Sequence, residues 1–315
     1  MKKLFNKTLI AAALALPALA YAAATPILFD TNGALAGGLV SVDLLDWTPG
    51  NALAINGNPA SGFLAAGTTT QLLYQANLGT VSLGGGPVQL TLQPFTAVAG
   101  FREIVLTNTT GLNPTFGFND VQARTATNFF YIYANQFGSN LAGTGFVGTP
   151  GQIALSGYVT SVTSSNYTGG GTALNPTINP RLDNFGTDNY PGIATLVGSG
   201  TSDINIKIDF ANAAYFPDLV AGSSFSFFNS SQVTPFNQAD PSAFFSSNGT
   251  VGANTASNVG AVNGVHQAGD PTRNFQFQAD GNSSFQKVPE PGSLALLGLA
   301  LGIAGLVRRR TAKQA

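Results

Sequence analysis

Two carboxylates beside the chain's single tryptophan are the first residues whose chemistry suggests a binding site. Asp43 and Asp46 lie just before Trp47. Carboxylates accept hydrogen bonds from hydroxyl groups, and an indole ring can cover the apolar face of a sugar, so these residues predict a sugar-contacting surface. A single Trp next to an apolar run is more often a core anchor, and that interpretation stays open.

A second candidate site contains only oxygen ligands. Asp183 and Asp188 lie beside Asn184 and Asn189, and carboxylate and amide oxygens in a loop suit a calcium ion. The spacing does not match an EF-hand and the bidentate Glu is missing, so solvated turn residues are the alternative. Apart from this calcium, we expect no cofactor.

Catalytic motifs are nearly absent. The chain has no cysteine and one histidine, His266, which lies in a polar stretch that predicts a solvated side chain. The segment Gly143–Gly148 fits G-x-G-x-x-G, but a Thr-Pro-Gly turn and a β-like run follow it, where a dinucleotide site needs a helix. We therefore expect a protein that is not an enzyme, although a glycosidase pair among the carboxylates stays open.

Charged residues make up 9% of the chain, against roughly 25% in an ordinary globular protein. Seven of the 13 basic residues lie at the two ends, which leaves six. Residues 23–291 contain these six basic residues and 14 acidic residues, so their formal charge is −8. Because phosphate neutralisation needs clustered cations, we expect no nucleic-acid partner.

The N-terminus, residues 1–22, has the pattern of a secretory signal peptide. Three lysines precede an apolar run from Leu9 to Ala20, and Ala20 and Ala22 form an Ala-x-Ala cleavage region. The sequence therefore predicts that the body of the protein is exported.

The C-terminus, residues 288–310, has three ordered features: the tripeptide Pro289-Glu290-Pro291, an apolar run from Ser293 to Val307, and the cluster Arg308-Arg309-Arg310. The run would give a helix of roughly 22 Å, short of a ~30 Å hydrocarbon core. Arginines after it predict that this end faces the cytoplasm. A short tail, 311–315, follows.

These three features closely resemble the PEP-CTERM sorting signal of exported proteins in Gram-negative bacteria that make extracellular polysaccharide. The resemblance implies that a membrane-embedded exosortase is a partner, that the C-terminal helix anchors the chain in the inner membrane only transiently, and that the body then reaches the cell surface or the extracellular matrix.

Between the ends, residues 23–287 predict short strands separated by Gly, Asn and Pro turns. The clearest run, 203–210, alternates and would place Ile204, Ile206, Ile208 and Phe210 on one buried face. A helical turn or two would fit 211–220, and loops at 163–192 and 246–272 are long and polar. The pattern favours an all-β protein with an antiparallel sandwich-like or barrel-like domain. Other strand candidates are 70–76, 88–92, 104–107, 129–134, 152–160, 224–228 and 274–278.

The first third of the body is also similar to flocculation-associated PEP-CTERM proteins, in the segments 29–33, 45–54 and 72–76. This resemblance implies an exported protein that promotes bacterial aggregation through association with extracellular polysaccharide. Two alternatives stay open: a secreted enzyme acting on the matrix carbohydrate, and a structural protein that self-associates by edge-strand pairing.

Overall fold

The computed structural model describes residues 26–34, 37–57, 64–88, 95–109, 113–134, 152–174, 194–232 and 275–286. These residues form twelve strands and, within the described ranges, no helix. The strands are β1 (Ile27–Asp30), β2 (Leu39–Val42), β3 (Leu44–Ile55), β4 (Thr69–Leu83), β5 (Gly86–Pro87), β6 (Phe95–Thr107), β7 (Thr115–Phe118), β8 (Phe129–Ala134), β9 (Gln152–Leu174), β10 (Ala194–Ala211), β11 (Ser224–Gln232) and β12 (Phe275–Gln286).

Eight of these strands close into an antiparallel barrel. Going round the barrel, the order is β3, β4, β6, β8, β9, β10, β11, β12 and back to β3. The prediction of an all-β antiparallel fold is confirmed, but the strands do not form two packed sheets. The pairings β4–β6 and β8–β9 join the ends of one sheet, so the domain is a closed barrel and not a sandwich.

The barrel interior is lined by alternate residues of each strand, as the two-residue period of β structure requires. On β10, Ile204, Ile206 and Ile208 are buried while Asn205 faces outward. The prediction for Phe210 is wrong. The register of β10 against β9 shifts between Ile208 and Phe210, so the ring turns outward and is 46% exposed.

One end of the barrel is filled by aromatic rings. We call Phe29, Phe95, Phe216, Phe225 and Phe285 the aromatic plug. Phe29, from the small β1–β2 sheet, lies 5.0 Å from Phe95 and 5.1 Å from Phe216 between ring centroids, and Phe225 lies 5.1 Å from Phe285. All five are almost fully buried. Such ring pairs contribute about 0.5–1.5 kcal/mol each beyond burial of their surface, so this end is closed and rigidified.

One of two predicted irregular segments turns out differently. Residues 163–174, predicted as part of a polar loop, continue β9, since Tyr167 and its neighbours pair with β10. Segment 211–220 contains two hydrogen-bonded turns, as predicted. The carbonyl of Asn212 accepts from the amides of Tyr215 and Phe216, both at 2.9 Å, and the carbonyl of Phe216 accepts from the amide of Leu219 at 3.3 Å. The second predicted loop, 246–272, lies outside the described residues, as do residues 89–92 of one strand candidate. Within the described ranges, no helix is long and apolar enough to span a membrane.

Asn128 secures the closure of the barrel between β8 and β9. Its side chain is fully buried just before β8. The amide nitrogen donates to the carbonyls of Val121 (2.7 Å) and Val159 (2.8 Å), and the amide oxygen accepts from the backbone N–H of Val159 (2.8 Å). One side chain therefore holds both backbone polar groups of a β9 residue and the turn that leads into β8.

Replacing Asn128 with Ala leaves these buried backbone groups unsatisfied. We expect the free energy of unfolding to fall by about 3 kcal/mol, since each buried group left without a partner costs about 1–3 kcal/mol. Denaturant unfolding of the exported protein measures this change. Asn119→Ala, at an exposed turn where the amide donates only to the hydroxyl of Thr69 (2.9 Å), is the matched control. Equal losses for the two variants would contradict the assigned role.

Candidate functional site

The residues of the predicted sugar-contacting surface are separated by the barrel wall. Trp47 is 1% exposed and belongs to the core, where its indole Nε1–H donates to the hydroxyl of Ser283 at 2.8 Å. Asp43 lies at the turn between β2 and β3 and accepts from the amide of Gly84 at 2.7 Å. Asp46 is half-buried. The structure therefore gives Trp47 the core position that the alternative interpretation expected, and any sugar contact at this place would fall to the two aspartates.

Asp46 is instead coupled electrostatically to two residues that the sequence analysis did not connect with it. Burial raises the pKa of Asp46, and burial followed by the nearby charge of Asp46 raises the pKa of Asp280. Burial and both carboxylates raise the pKa of the Tyr74 hydroxyl well above its usual value. That hydroxyl has no hydrogen-bond partner among the described residues. The arrangement brings two acids of β3 and β12 close to a neutral phenol.

A cavity of about 60 Å³ lies at the end of the barrel opposite the aromatic plug. Its walls come from seven strands and are mostly apolar, with Leu72 and Phe277 as examples, and it reaches the surface at the exposed Asn166. One water needs about 10–15 Å³ of such space, so the cavity is large enough for a few waters or a small organic group. An eight-stranded barrel is wide enough either to be filled by side chains or to hold one small ligand.

Glu103 is the carboxylate of this cavity. It lies on β6, at the same face as the core residues Phe101 and Ala99, and it is 4% exposed. Burial raises the pKa of Glu103 to about 7, against the opposing effect of a hydrogen bond from the hydroxyl of Ser165. The Oε1 atom has no hydrogen-bond partner among the described residues. A buried carboxyl with one unsatisfied oxygen is a strong acceptor facing an otherwise apolar space.

The sequence analysis missed Glu103, although a signal was present. In Phe101-Arg102-Glu103-Ile104-Val105, the acid shares the two-residue period of two apolar side chains. Arg102, on the opposite face, pairs with Asp120 through two hydrogen bonds of 3.1 and 3.3 Å. Burial raises the pKa of Asp120, but the hydrogen bonds and charge of Arg102, with those from Val121 and Thr127, lower it overall. The only described cation next to Glu103 in sequence is therefore already paired outside the barrel.

The outer surface of β9, β10 and β11 carries a continuous set of uncharged polar groups. We call Tyr158, Ser161, Thr163, Asn205 and Ser226 the polar face. The amide of Asn205 donates to the hydroxyls of Ser161 (3.0 Å) and Thr163 (3.1 Å), and its oxygen accepts from Ser226 (3.4 Å). Because the hydroxyls of Ser161 and Thr163 accept these bonds, their own O–H groups remain available to donate outward.

A charged network borders the polar face. Arg124 contacts Asp209 at 3.2 Å and donates to the hydroxyl of Ser156 at 2.7 Å, and that hydroxyl donates to Asp209 at 2.6 Å. The guanidinium lies 5.7 Å from the ring centre of the outward-facing Tyr131. The two charges of this network neutralise each other, so the surface around the polar face has little net charge.

Several predicted residues lie outside the described part of the chain. These are Ala20, Ala22, Asp183, Asp188, His266, Pro289, Glu290, Pro291, Arg308, Arg309 and Arg310. The predicted segment boundaries at 22, 287 and 310 lie there too, and the calcium site stays a prediction. Among the residues that are described, no group of three or more His, Cys, Asp or Glu side chains could hold a metal ion.

Comparison with known proteins identifies the C-terminal segment. Residues 287–310 match the family model of the PEP-CTERM protein-sorting motif. The motif supports a PEP-CTERM protein, which implies an exported chain that is anchored transiently by its C-terminus and processed by an exosortase. The chain matches no curated protein and no solved structure, so the similarity of the body to flocculation-associated members stays a prediction.

Glu103 makes the stability of the barrel depend on pH. Its pKa of about 7 in the folded protein lies above the ordinary value of 4.5, so the folded state keeps the proton to higher pH than the unfolded state does. The free energy of unfolding should therefore fall as the pH rises from 4.5 to 7, by about 3 kcal/mol from this group.

Denaturant unfolding at pH 5 and pH 8 measures this loss. Glu103→Gln keeps the shape and removes the titration, and we expect it to lose most of the difference between the two pH values. Asp46 and Asp280 add to the slope in both proteins. Asp203→Asn, which removes a carboxylate from the outer surface of β10, is the control and should keep the wild-type difference. An unchanged slope in Glu103→Gln would show that the residue is not buried as an acid.

Proposed function

We propose that this exported protein promotes flocculation by binding extracellular polysaccharide through the polar face. The observation that carries the proposal is the hydrogen-bonded arrangement of Ser161, Thr163 and Ser226 around Asn205. Neutral donors and acceptors held in a fixed array complement the hydroxyl groups of a sugar chain, and Tyr158 at one end offers a ring for an apolar sugar face. Each contact is weak, but many copies on one polymer reach high avidity through effective concentration.

The charge distribution supports a polysaccharide over a strongly anionic partner. The segment 23–291 carries −8, with few basic residues, and Lys207 next to the polar face is balanced by Asp203 on the same strand. Electrostatic attraction therefore contributes little to binding, and affinity depends on hydrogen bonds and ring contacts.

The closed barrel argues against self-association by edge-strand pairing as the main activity. Every one of the eight barrel strands has two hydrogen-bonded neighbours. Among the described strands, free edges belong to the short elements β1, β2 and β5, of two to four residues, and to the end of β9 from Tyr167 to Leu174, which pairs only with β10. Closure therefore removes most of the long edges that such pairing needs.

A carbohydrate-active enzyme is the second candidate, and the coupled carboxylates Asp46 and Asp280 are the observation that favours it. A glycosidase needs two carboxyl groups whose pKa values differ enough for one to act as acid and the other as base or nucleophile. Both pKa values are raised in this pair, with burial as the leading cause for each. Neither carboxyl group has a lowered pKa, so we rank this function below binding.

Binding is tested by co-sedimentation of the exported protein with exopolysaccharide purified from the same bacterium. The double variant Tyr158→Ala/Asn205→Ala removes the ring and releases the hydroxyls of Ser161 and Thr163. We expect it to bind about 30-fold more weakly, since two contacts of ~1 kcal/mol each are lost. Asn119→Ala, away from the polar face, should bind as the wild type does.

Two further measurements in the same assay distinguish binding through the polar face from the alternatives. Binding should change little between low and moderate ionic strength, and a steep loss would contradict the mechanism. New reducing ends in the supernatant, absent with Asp46→Asn/Asp280→Asn, would establish the enzyme instead.

The biological role is tested by cell settling. A strain lacking the gene receives either the wild-type gene or a Pro289→Ala/Pro291→Ala version, whose change lies in the sorting motif. We expect the deletion to disperse the cells and only the wild-type gene to restore settling, with the variant retained at full length in the membrane fraction. A deletion strain that settles like its parent would overturn the proposed role in flocculation.

A further inference from the structure

A second cavity lies next to the cavity at the open end of the barrel. It has a volume of about 20 Å³ and shares Leu72 and Ser202 with the first as lining residues. Its other walls are apolar or aromatic side chains, from Tyr74, Ala99, Phe101, Phe130, Ile204 and Phe227. We call the two neighbouring cavities together the channel: Glu103 lines the outer cavity, and aromatic rings line the inner one.

Three buried polar atoms of this channel lack hydrogen-bond partners among the described residues. They are Oε1 of Glu103, the hydroxyl oxygen of Ser202 and, in the inner cavity, the hydroxyl oxygen of Tyr74. A buried polar atom without a partner destabilises the protein, so a ligand that satisfies these atoms gains free energy on binding. The carboxyl needs a donor, and no Lys, Arg or His is among the described lining residues.

We propose that this channel binds a small primary amine with an apolar tail, the ammonium group at Glu103 and the tail between Leu72 and the aromatic rings of the inner cavity. An ammonium group supplies both the missing charge and up to three N–H donors, which Glu103, Ser165 and Ser202 can accept. A metal ion fits less well, because calcium takes 6–8 oxygen ligands and the described lining offers one carboxylate. The volume limits the ligand to a short chain or a single ring.

The pH dependence of binding follows from the groups around the carboxyl. The other titratable side chains in the described lining are Tyr167 on β9 and, in the inner cavity, Tyr74 on β4. Burial raises the pKa of both phenols, so they stay neutral. The described lining residues of β4, β7, β10 and β12 do not titrate in this range: Thr70, Leu72, Phe116, Thr201, Ser202 and Phe277. Glu103 alone changes charge near neutral pH, and an alkylamine, like a lysine side chain, stays protonated to about pH 10.

Isothermal titration of the exported protein with n-hexylamine at pH 5.5 and 8.5 tests the proposal. A carboxyl with a pKa of about 7 is roughly 3% ionised at the lower pH and 97% at the higher, so hexylamine should bind about 30-fold more tightly at pH 8.5. Neutral n-hexanol should bind weakly at both pH values. Glu103→Gln should lose this pH dependence and most of the affinity, while Asp203→Asn, on the outer surface of β10, should bind as the wild type does.

A second variant keeps the test independent of how well Glu103→Gln folds. Leu72→Phe enlarges a side chain that lines both cavities, so it should weaken hexylamine binding and leave ethylamine binding unchanged. Affinity for hexylamine that does not change with pH, or that Glu103→Gln retains, overturns the proposal, as does hexanoate binding more tightly at pH 5.5 than hexylamine does at pH 8.5. Glu103→Gln should still sediment with exopolysaccharide, so failure here and failure of the polar face are distinguishable.

Discussion

Closure of the sheet through the β8–β9 and β4–β6 pairings is the constraint on which the rest of the molecule depends. Eight strands that remained an open sheet would expose long edges and would have no inside. Once closed, alternate residues of every strand point either into a confined core or to solvent. The short β8, only six residues, has to pair on both sides for this to happen, and the buried hydrogen bonds of Asn128 hold the chain in place where β8 begins.

In the closed barrel, two kinds of side chain that alternate along the sequence lie on opposite faces of the sheet. Along β10, Ile204 and Ile206 fill the interior, while Asn205 between them organises the hydroxyls of the polar face. Along β6, Glu103 points inward and Arg102 points outward to Asp120. Neighbouring residues thus belong to a polar outer surface and to the barrel interior, and a change at one can be made with little effect on the other.

The sequence predicted those elements whose pattern is local. Residues 129–134 were predicted as a strand and form β8, and the isoleucines of β10 have the buried face that their alternation indicated. Strand β6 was recognised only at its end, because Phe95–Phe101 is buried on both faces and shows no alternation. The prediction that Phe210 is buried is wrong because a bulge moves this residue to the other face of the strand. A register shift of one residue reverses which face every later side chain points to.

The long-range features were not accessible from patterns along the chain. Closure into a barrel depends on pairings between strands far apart in sequence, as in β3 with β12, which no local signal specifies. The candidate sites show the same limit. Asp46 was chosen for its neighbour Trp47, but its electrostatic partner is Asp280 on another strand, and Glu103 becomes notable only once β4, β7, β9 and β10 surround it.

The two ends of the barrel have opposite effects on its stability, and the difference explains how an unsatisfied acid is tolerated inside. The aromatic plug stabilises one end through ring contacts that extend inward from Phe225 to Phe130 at 5.0 Å. At the other end, Glu103 opposes folding once it is ionised, because its charge has left water for a largely apolar space. The ring contacts of the aromatic plug do not depend on pH and keep the strands paired. The open end can therefore keep a polar cavity, whose carboxyl is fully stabilised only when a hydrogen-bond donor enters it.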